Sequence, residues 1–244
     1  MKKTAAAPAF RPLYEQIKIL LTQSLVAGEW KPGEAIPSEI ELASRFNVSQ
    51  GTVRKAIDEL ASENIVVRRQ GKGTFVASHN EPEYRYRFLR VKKDSGEKLH
   101  PHNLFFGLER GKAHGEVAQA LRLAAGTPTI TFKRVMSFDG KPRILDEIAF
   151  SASQFPGLTL AELEEFNGSV YSFYETVFGV RMIRAEERIR AVAADGVAAT
   201  HLKVPRGTPL LCTDRIAFTY GDQPVEWRRG LCVTDGFSYF NELS

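Results

Sequence analysis

The stretch Leu121-x-x-x-x-Gly126-Thr127-Pro128 returns as Leu202-x-x-x-x-Gly207-Thr208-Pro209, 81 residues further along the chain. At the same offset Arg134 falls on Arg215 and Gly140 on Gly221, with one residue inserted before Pro224 relative to Pro142. Each copy reads as a helix, a Gly-Thr-Pro turn, a β-rich run, a glycine-containing hairpin turn and a second β-rich run. Two such units predict one antiparallel sheet with pseudo-twofold symmetry, partly covered by helices. Between the copies, helical spacing over 169–178 and alternation over 180–193 predict a helix and a long strand. This part of the chain is therefore α+β.

The first 78 residues follow other rules. Leu13, Ile17, Leu20, Leu21 and Leu25 recur at helical spacing behind Pro12, which suits a first helical turn, and predict a helix ending near Gly28. Ser38 with Glu41 three residues on is a capping-box signature for a short helix through Phe46, and Asn47 begins a tight turn. Ser49 caps a third helix whose inner face is Val53, Ala56, Ile57 and Leu60. Two β-rich runs, 65–69 and 74–76, are joined by Gln70-Gly71-Lys72-Gly73, a hairpin whose glycines permit positive φ. That order is a winged helix-turn-helix. The polar, turn-prone stretch at 78–83 separates the parts, so we expect a DNA-binding domain at 1–78, a linker and hinge at 79–86, and a second domain at 87–244.

A formal charge of +4 and a pI near 9.0 agree with a polyanionic partner. Residues 1–78 hold 11 basic and 8 acidic side chains, against 22 and 21 in the remainder, so most of the excess lies in the first part. With 43% hydrophobic and 25% charged residues, the composition excludes collagen-like, disordered and membrane classes. Lys2 and Lys3 precede a short apolar stretch broken by Pro8, which does not make a secretory leader, and no run approaches the roughly 18 apolar residues of a membrane span. Two cysteines, Cys212 and Cys232, fit a reducing compartment and buried free thiols. The expectation is a soluble cytoplasmic protein. His100 and His102 lack a third ligand, and no phosphate loop, nucleophile elbow or zinc motif is present, so no metal, cofactor or catalysis is expected.

A helix-turn-helix sets the first residues of its second helix against base edges, which requires small or hydrogen-bonding side chains there. Ser49, Gln50, Gly51, Thr52 and Arg54 meet that requirement. Gln50 can pair bidentately with adenine, and Arg54 can reach a guanine edge or a phosphate. Arg68, Arg69 and Lys72 on the wing, with Gly71 and Gly73 beside them, suit the backbone or an adjacent minor groove. Ser38, Glu39, Arg45 and Lys55 complete the candidate DNA-binding set.

These residues resemble a known family. The segment from Ile36-Pro37-Ser38-Glu39 through Leu42-Ala43, Phe46-Asn47-Val48-Ser49, Thr52-Val53-Arg54-Lys55-Ala56, Leu60 and Gly71-Lys72-Gly73-Thr74-Phe75-Val76 looks like the GntR family of bacterial transcriptional regulators. Ile40 and Gln50 stand where many members carry arginine. The second part is similar to the UTRA ligand-sensing domain of the HutC-type branch, whose fold is related to chorismate lyase. Here the resembling residues are the two Gly-Thr-Pro turns, Asp139-Gly140-x-Pro142, Ser169-x-Tyr171, Gly179 and Pro224-Val225-Glu226. The resemblance implies an effector pocket using Arg134, Asp146, Ser169, Tyr171 and Glu226. Met136 and Cys232 replace an arginine and a tyrosine of the sugar-phosphate-sensing relatives. Arg134 offers a planar fork for a carboxylate or phosphate, and the alternative is a cross-strand ion pair with Asp146 and no ligand. Tyr171, Phe173, Tyr174 and Phe178 suit core packing or stacking on an aromatic ligand.

The resulting expectation is a repressor-type regulator that binds a pseudo-palindromic operator as a homodimer joined through the second domain, with a small anionic metabolite modulating operator affinity. Two alternatives remain: a ligand-independent dimeric DNA-binding protein, and a lyase-like enzyme.

Overall fold

Pro12 lacks an N–H and sits extended (φ −49°, ψ 145°), so it caps the first helix from outside, and α1 (Leu13–Val26) buries Ile17, Leu21 and Leu25 along one stripe. The computed structural model describes residues 11–82, 84–98 and 101–242. His100 lies outside the described residues, while His102 is exposed. The chain divides into two compact units, the boundary falling between Ala77 and Ser78.

In the first unit, α2 (Glu39–Phe46) opens on a reciprocal capping box. Ser38 N donates to Glu41 Oε2 at 2.8 Å, and Glu41 N donates to Ser38 Oγ at 3.3 Å. The helix stops where Asn47 turns left-handed at φ 51°, a conformation Asn tolerates well. Two residues later Ser49 caps α3 (Gln50–Ser62), whose Val53, Ala56, Ile57 and Leu60 are fully buried. The wing is an antiparallel pair, β1 (Val66–Arg69) and β2 (Gly73–Val76), and residues 33–36 add a third partner through an Ala35–Phe75 bridge.

The second unit is built on a six-stranded antiparallel sheet whose strand order follows the repeat. β3 (Val91–Lys93) precedes it in the chain and pairs with β10 (Phe237–Tyr239) in a separate two-stranded sheet. One copy of the repeat comprises β4 (His102–Lys112), α4 (Gly115–Ala120), β5 (Pro128–Phe138) and β6 (Lys141–Ser151). The other comprises β7 (Arg184–Ala193), α7 (Gly196–Leu202), β8 (Pro209–Thr219) and β9 (Gln223–Cys232). The order β4-β5-β6-β9-β8-β7 places the copies symmetrically about the β6–β9 pair. The repeat thus begins one strand earlier than the Gly-Thr-Pro signal.

Between the copies lie α5 (Leu160–Glu165) and α6 (Val170–Phe178). Helices α5 and α6 share an apolar cluster with Phe132, Ile148 and Phe150 on one face of the large sheet. Phe173 and Tyr174 are core residues there, and Phe178 packs against them. On the other face α7 covers Val135, Leu145 and Leu210, and α4 covers Ala149 and Trp227. The strand expected over 180–193 starts at Arg184 instead. Val180 closes α6 behind the left-handed Gly179, its N donating to Tyr174 O at 3.1 Å, and the chain reaches β8 only at Ile183, whose N donates to Phe218 O at 2.8 Å.

The free linker expected at 79–86 is also corrected. Ser78 and His79 are buried, and the buried Glu175 carboxylate of α6 accepts from Ser78 Oγ, from His79 N at 3.1 Å and from Asn80 Nδ2 at 3.3 Å. Ser172 Oγ donates to His79 O at 2.6 Å, and the residues after it run through consecutive turns. Polar, turn-prone composition marked the segment as flexible, but a carboxylate almost a hundred residues away satisfies its donors.

His79 carries a pH signature. Burial, together with the Arg181 charge, pushes its imidazole from 6.5 down to about 4. The unfolded chain takes up this proton near pH 6.5 and the folded one not until about pH 4, so stability is intact above that window and lost as pH falls through it. The expected loss is about 3 kcal/mol. Glu175, whose carboxyl is raised by burial, works in the opposite direction, its cost being relieved as pH falls through its titration. Urea unfolding of the wild type and of His79→Gln near neutrality and near pH 4 isolates the histidine, and equal pH slopes in the two proteins would refute the assignment.

Candidate functional site

The exposed face of the helix-turn-helix is organised by one carboxylate. Glu39, the first residue of α2, accepts from Arg54 Nε of α3 at 2.9 Å, from Arg68 Nη2 of β1 at 3.1 Å and from Gln50 Nε2 at 3.3 Å. Arg68 also pairs with Asp58 at 2.8 Å. Three of the expected DNA-contacting side chains, from two elements, therefore converge beside the exposed start of α3. Ser49 is occupied in capping, accepting from Thr52 N at 3.2 Å. Gly51 leaves the helix start open, since a Cβ added there would meet only Ser49 Oγ, at 3.8 Å.

Other predicted residues lie apart from this cluster. Arg45 forks onto Glu29 and lies over the Trp30 and Phe46 rings, while Lys55 Nζ sits 3.9 Å from the Tyr14 ring centroid. Arg69 stacks on Phe75 at 4.3 Å, and Lys72 stands exposed in the wing turn between Gly71 (φ 70°) and Gly73 (φ 103°). Ser38 is used by the capping box.

The second unit holds a partly open cavity. Its floor is the sheet face that also carries the α5–α6 core, and its walls include Phe88, Ser169 and Tyr171 on one side and Met136, Ile144 and Cys232 on another. Arg134 and Asp146 are direct cross-strand partners in the floor, both buried, with Arg134 Nε donating to Asp146 Oδ2 at 3.0 Å and Nη2 also bonded to it. The cross-strand ion pair is thus present, and both of its residues line the cavity. Arg228 Nη1 approaches the same carboxylate at 3.5 Å. Burial pushes the Asp146 carboxyl up, but the Arg134 and Arg228 charges outweigh it and hold it below the usual carboxylate range.

Glu226 is corrected as a pocket wall. It is completely buried, and it accepts from Arg228 Nε at 3.0 Å, Arg228 Nη2 at 2.9 Å and the Tyr171 hydroxyl at 2.8 Å. Its role in the structure is to hold those two cavity residues from behind. Ser169 lines the cavity while capping α6, accepting from Ser172 N at 3.0 Å. Burial pushes the Cys232 thiol up to about 12, so it stands in the wall as an apolar group. Cys212 is likewise buried and free.

Sequence reasoning missed Arg215, Arg228, Glu187 and Arg85 in this cavity. Arg215 donates through Nε to Glu187 Oε1 at 2.6 Å. A signal for it existed, since the repeat superposes Arg215 on Arg134. Arg228 is two residues from Glu226 on one strand, hence on the same face. Gly230 completes the floor, because a Cβ there would stand 2.8 Å from Asp146 Oδ1. Among the described residues no group of three or more His, Cys, Asp or Glu is placed to hold a metal ion, and no helix is long and apolar enough to cross a membrane.

Comparison with known proteins agrees with this geometry. Residues 13–76 match the bacterial regulatory proteins of the gntR family, and residues 96–238 match the UTRA domain. The chain is 30% identical over 235 residues to the transcriptional regulator named PhnF of Escherichia coli, covering 94% of each chain. It is 28% identical over 232 residues, 90% of each chain, to a protein of the same organism named as a fructoselysine utilization operon transcriptional repressor. Its second unit resembles the crystal structure of the ligand-binding domain of a GntR-family regulator from Bordetella bronchiseptica, with 41% identity, a TM-score of 0.64, and coverage of 66% of this chain and 99% of that one. These relatives are named as regulators and repressors of transcription, not as enzymes. An N-terminal winged helix followed by a six-stranded UTRA sheet, each matched over its length, makes this chain a member of the GntR family of bacterial DNA-binding transcriptional regulators, of the branch that carries a UTRA domain.

Proposed function

We propose that this regulator is a cytoplasmic repressor whose grip on a pseudo-palindromic operator changes when a small anionic metabolite occupies the cavity of the second unit. The observation that carries the reading is the cavity itself: an arginine-lined chamber on a sheet that follows a DNA-binding head in the chain. A relative named for fructoselysine utilization fits control by a small metabolite. One recognition helix makes few base contacts, so operator specificity needs two copies and half-sites about one helical turn apart. The effector acts by preferring one arrangement of the heads, since a ligand binding both equally shifts nothing.

Footprinting on the DNA upstream of its own gene, with and without sugar phosphates, dicarboxylates, aromatic acids and amino-acid catabolites, tests the whole reading. A two-half-site footprint that one compound class weakens is expected. Protection insensitive to every compound would replace the reading by ligand-independent binding, and a monomer on DNA in sedimentation would remove the dimer.

Within the DNA head, Gln50 is proposed to read bases and Arg68 to neutralise phosphate. Gln50→Ala should bring cognate and scrambled affinities together by about 1–3 kcal/mol. Arg68→Ala should weaken both equally and flatten the salt dependence by about one phosphate. Fluorescence anisotropy on the two duplexes over a salt series decides it, and parallel losses in both variants would contradict the assignment.

A further inference from the structure

The charged group at the start of α3 is balanced: Arg54 and Arg68 stand against Glu39 and Asp58. A surface that meets DNA gains affinity from cations, and each carboxylate among them lowers it. Glu39 is the most covered of the four, its side chain 20% exposed beneath the donors that converge on it. It contributes orientation instead of affinity.

Gln50 opens α3 and is exposed, with its amide 3.3 Å from Glu39 Oε2. A carboxylate only accepts, so the amide must present Nε2 there, and the flipped amide would set Oε1 against a negative oxygen. One Nε2–H is thereby consumed. The other Nε2–H and Oε1 remain, a donor beside an acceptor. That pair matches the major-groove edge of adenine, which offers N7 as acceptor and N6 as donor. It mismatches guanine, whose N7 and O6 both accept. A glutamine free to turn could give both amide hydrogens to guanine. The same carboxylate takes Nε and Nη2 of Arg54, both at 2.9 Å, which fixes that fork as well.

We infer that Glu39 is a positioning residue that makes Gln50 read adenine and reject guanine, acting through the amide rather than by touching DNA. This rests on the operator reading above, in which Gln50 meets base edges, and it specifies the base.

The test lets the full-length protein choose its own DNA. Duplexes with a random central stretch are selected and sequenced for the wild type, Glu39→Ala, Gln50→Ala and the double variant. The position read by Gln50 is the one whose preference vanishes in Gln50→Ala. There the wild type should favour adenine over guanine by about tenfold or more, the range of one good bidentate contact. Glu39→Ala should bring that ratio to about threefold or less, because the amide regains its second orientation. In the Gln50→Ala background, Glu39→Ala should change nothing at this position, since its effect runs through the amide. Ser38 and Glu41 keep the cap of α2 in every variant, and unchanged melting confirms that the head is folded. An adenine-to-guanine ratio untouched by Glu39→Ala would overturn the proposal, as would a wild-type preference for guanine at that position. Affinity lost evenly on all sequences with the ratio kept would make Glu39 purely structural and overturn it too. The operator reading fails differently: a wild type that enriches no sequence would remove that reading and this one with it, whereas a shared enriched site with an unaltered ratio removes this one alone.

Discussion

Asp146→Ala should destabilise the second unit by about 3–5 kcal/mol, the cost of leaving a buried charge cluster without its anion. Asp146 is 3% exposed, accepts from both Nε and Nη2 of Arg134, and lies 3.5 Å from Arg228. Without it, one arginine faces the interior with no partner and the other keeps Glu226 alone. Replacing both partners, Arg134→Met with Asp146→Leu, should recover much of the loss, because no lone charge is left to desolvate. Urea unfolding of the two variants and the wild type provides the comparison. A single alanine variant within about 1 kcal/mol of wild type would show that water reaches the cluster and that the pair is worth little.

Leu42→Ala should abolish DNA binding through folding rather than contact. Leu42 is completely buried in α2, beneath α3, and truncation of such a leucine costs about 2–5 kcal/mol. A unit of this size rarely holds more than about 3–5 kcal/mol of stability from its core. Calorimetry of the variant should therefore show the first unit already unfolded at temperatures where the second melts as in the wild type. The second unit has its own core of Phe132, Ile148, Phe150 and Phe155, so it is not expected to follow. Retention of operator binding, or a common downward shift of one cooperative transition, would show that the two units do not fold as separate bodies.

The elements most legible in the sequence were those fixed by local chemistry. The Ser38–Glu41 box, the left-handed Asn47 and the Ser49 cap place α2, the turn and α3 to the residue, because each satisfies backbone groups within four positions of itself. The Gly-Thr-Pro turns and the Asp139-Gly140 hairpin, both of whose residues have positive φ, marked the repeat for the same reason. β4 is a half-exposed edge strand bent between Phe106 and Glu109, where Gly107 turns to φ 62°, so its sequence shows no clean alternation. α5 has a Thr159-x-x-Glu162 box of the same kind as α2, but its six residues are too few to carry a helical period.

The site was legible in part. Arg134, Asp146, Ser169 and Tyr171 do line one cavity, whereas Glu226 lies behind it and Arg85, Arg215 and Arg228 come from segments far apart in the chain. The amino-acid sequence settled on its own where helices begin and end, which residues turn, and that a winged helix precedes a duplicated sheet, since these follow from hydrogen bonds and torsions a few residues wide. Which carboxylate neutralises which arginine, that His79 is buried rather than free in a linker, and that Arg85 is left without a carboxylate among the described residues were decided by the fold. Those outcomes depend on strand register and on burial, and both arise when residues up to a hundred positions apart are brought into one low-dielectric layer.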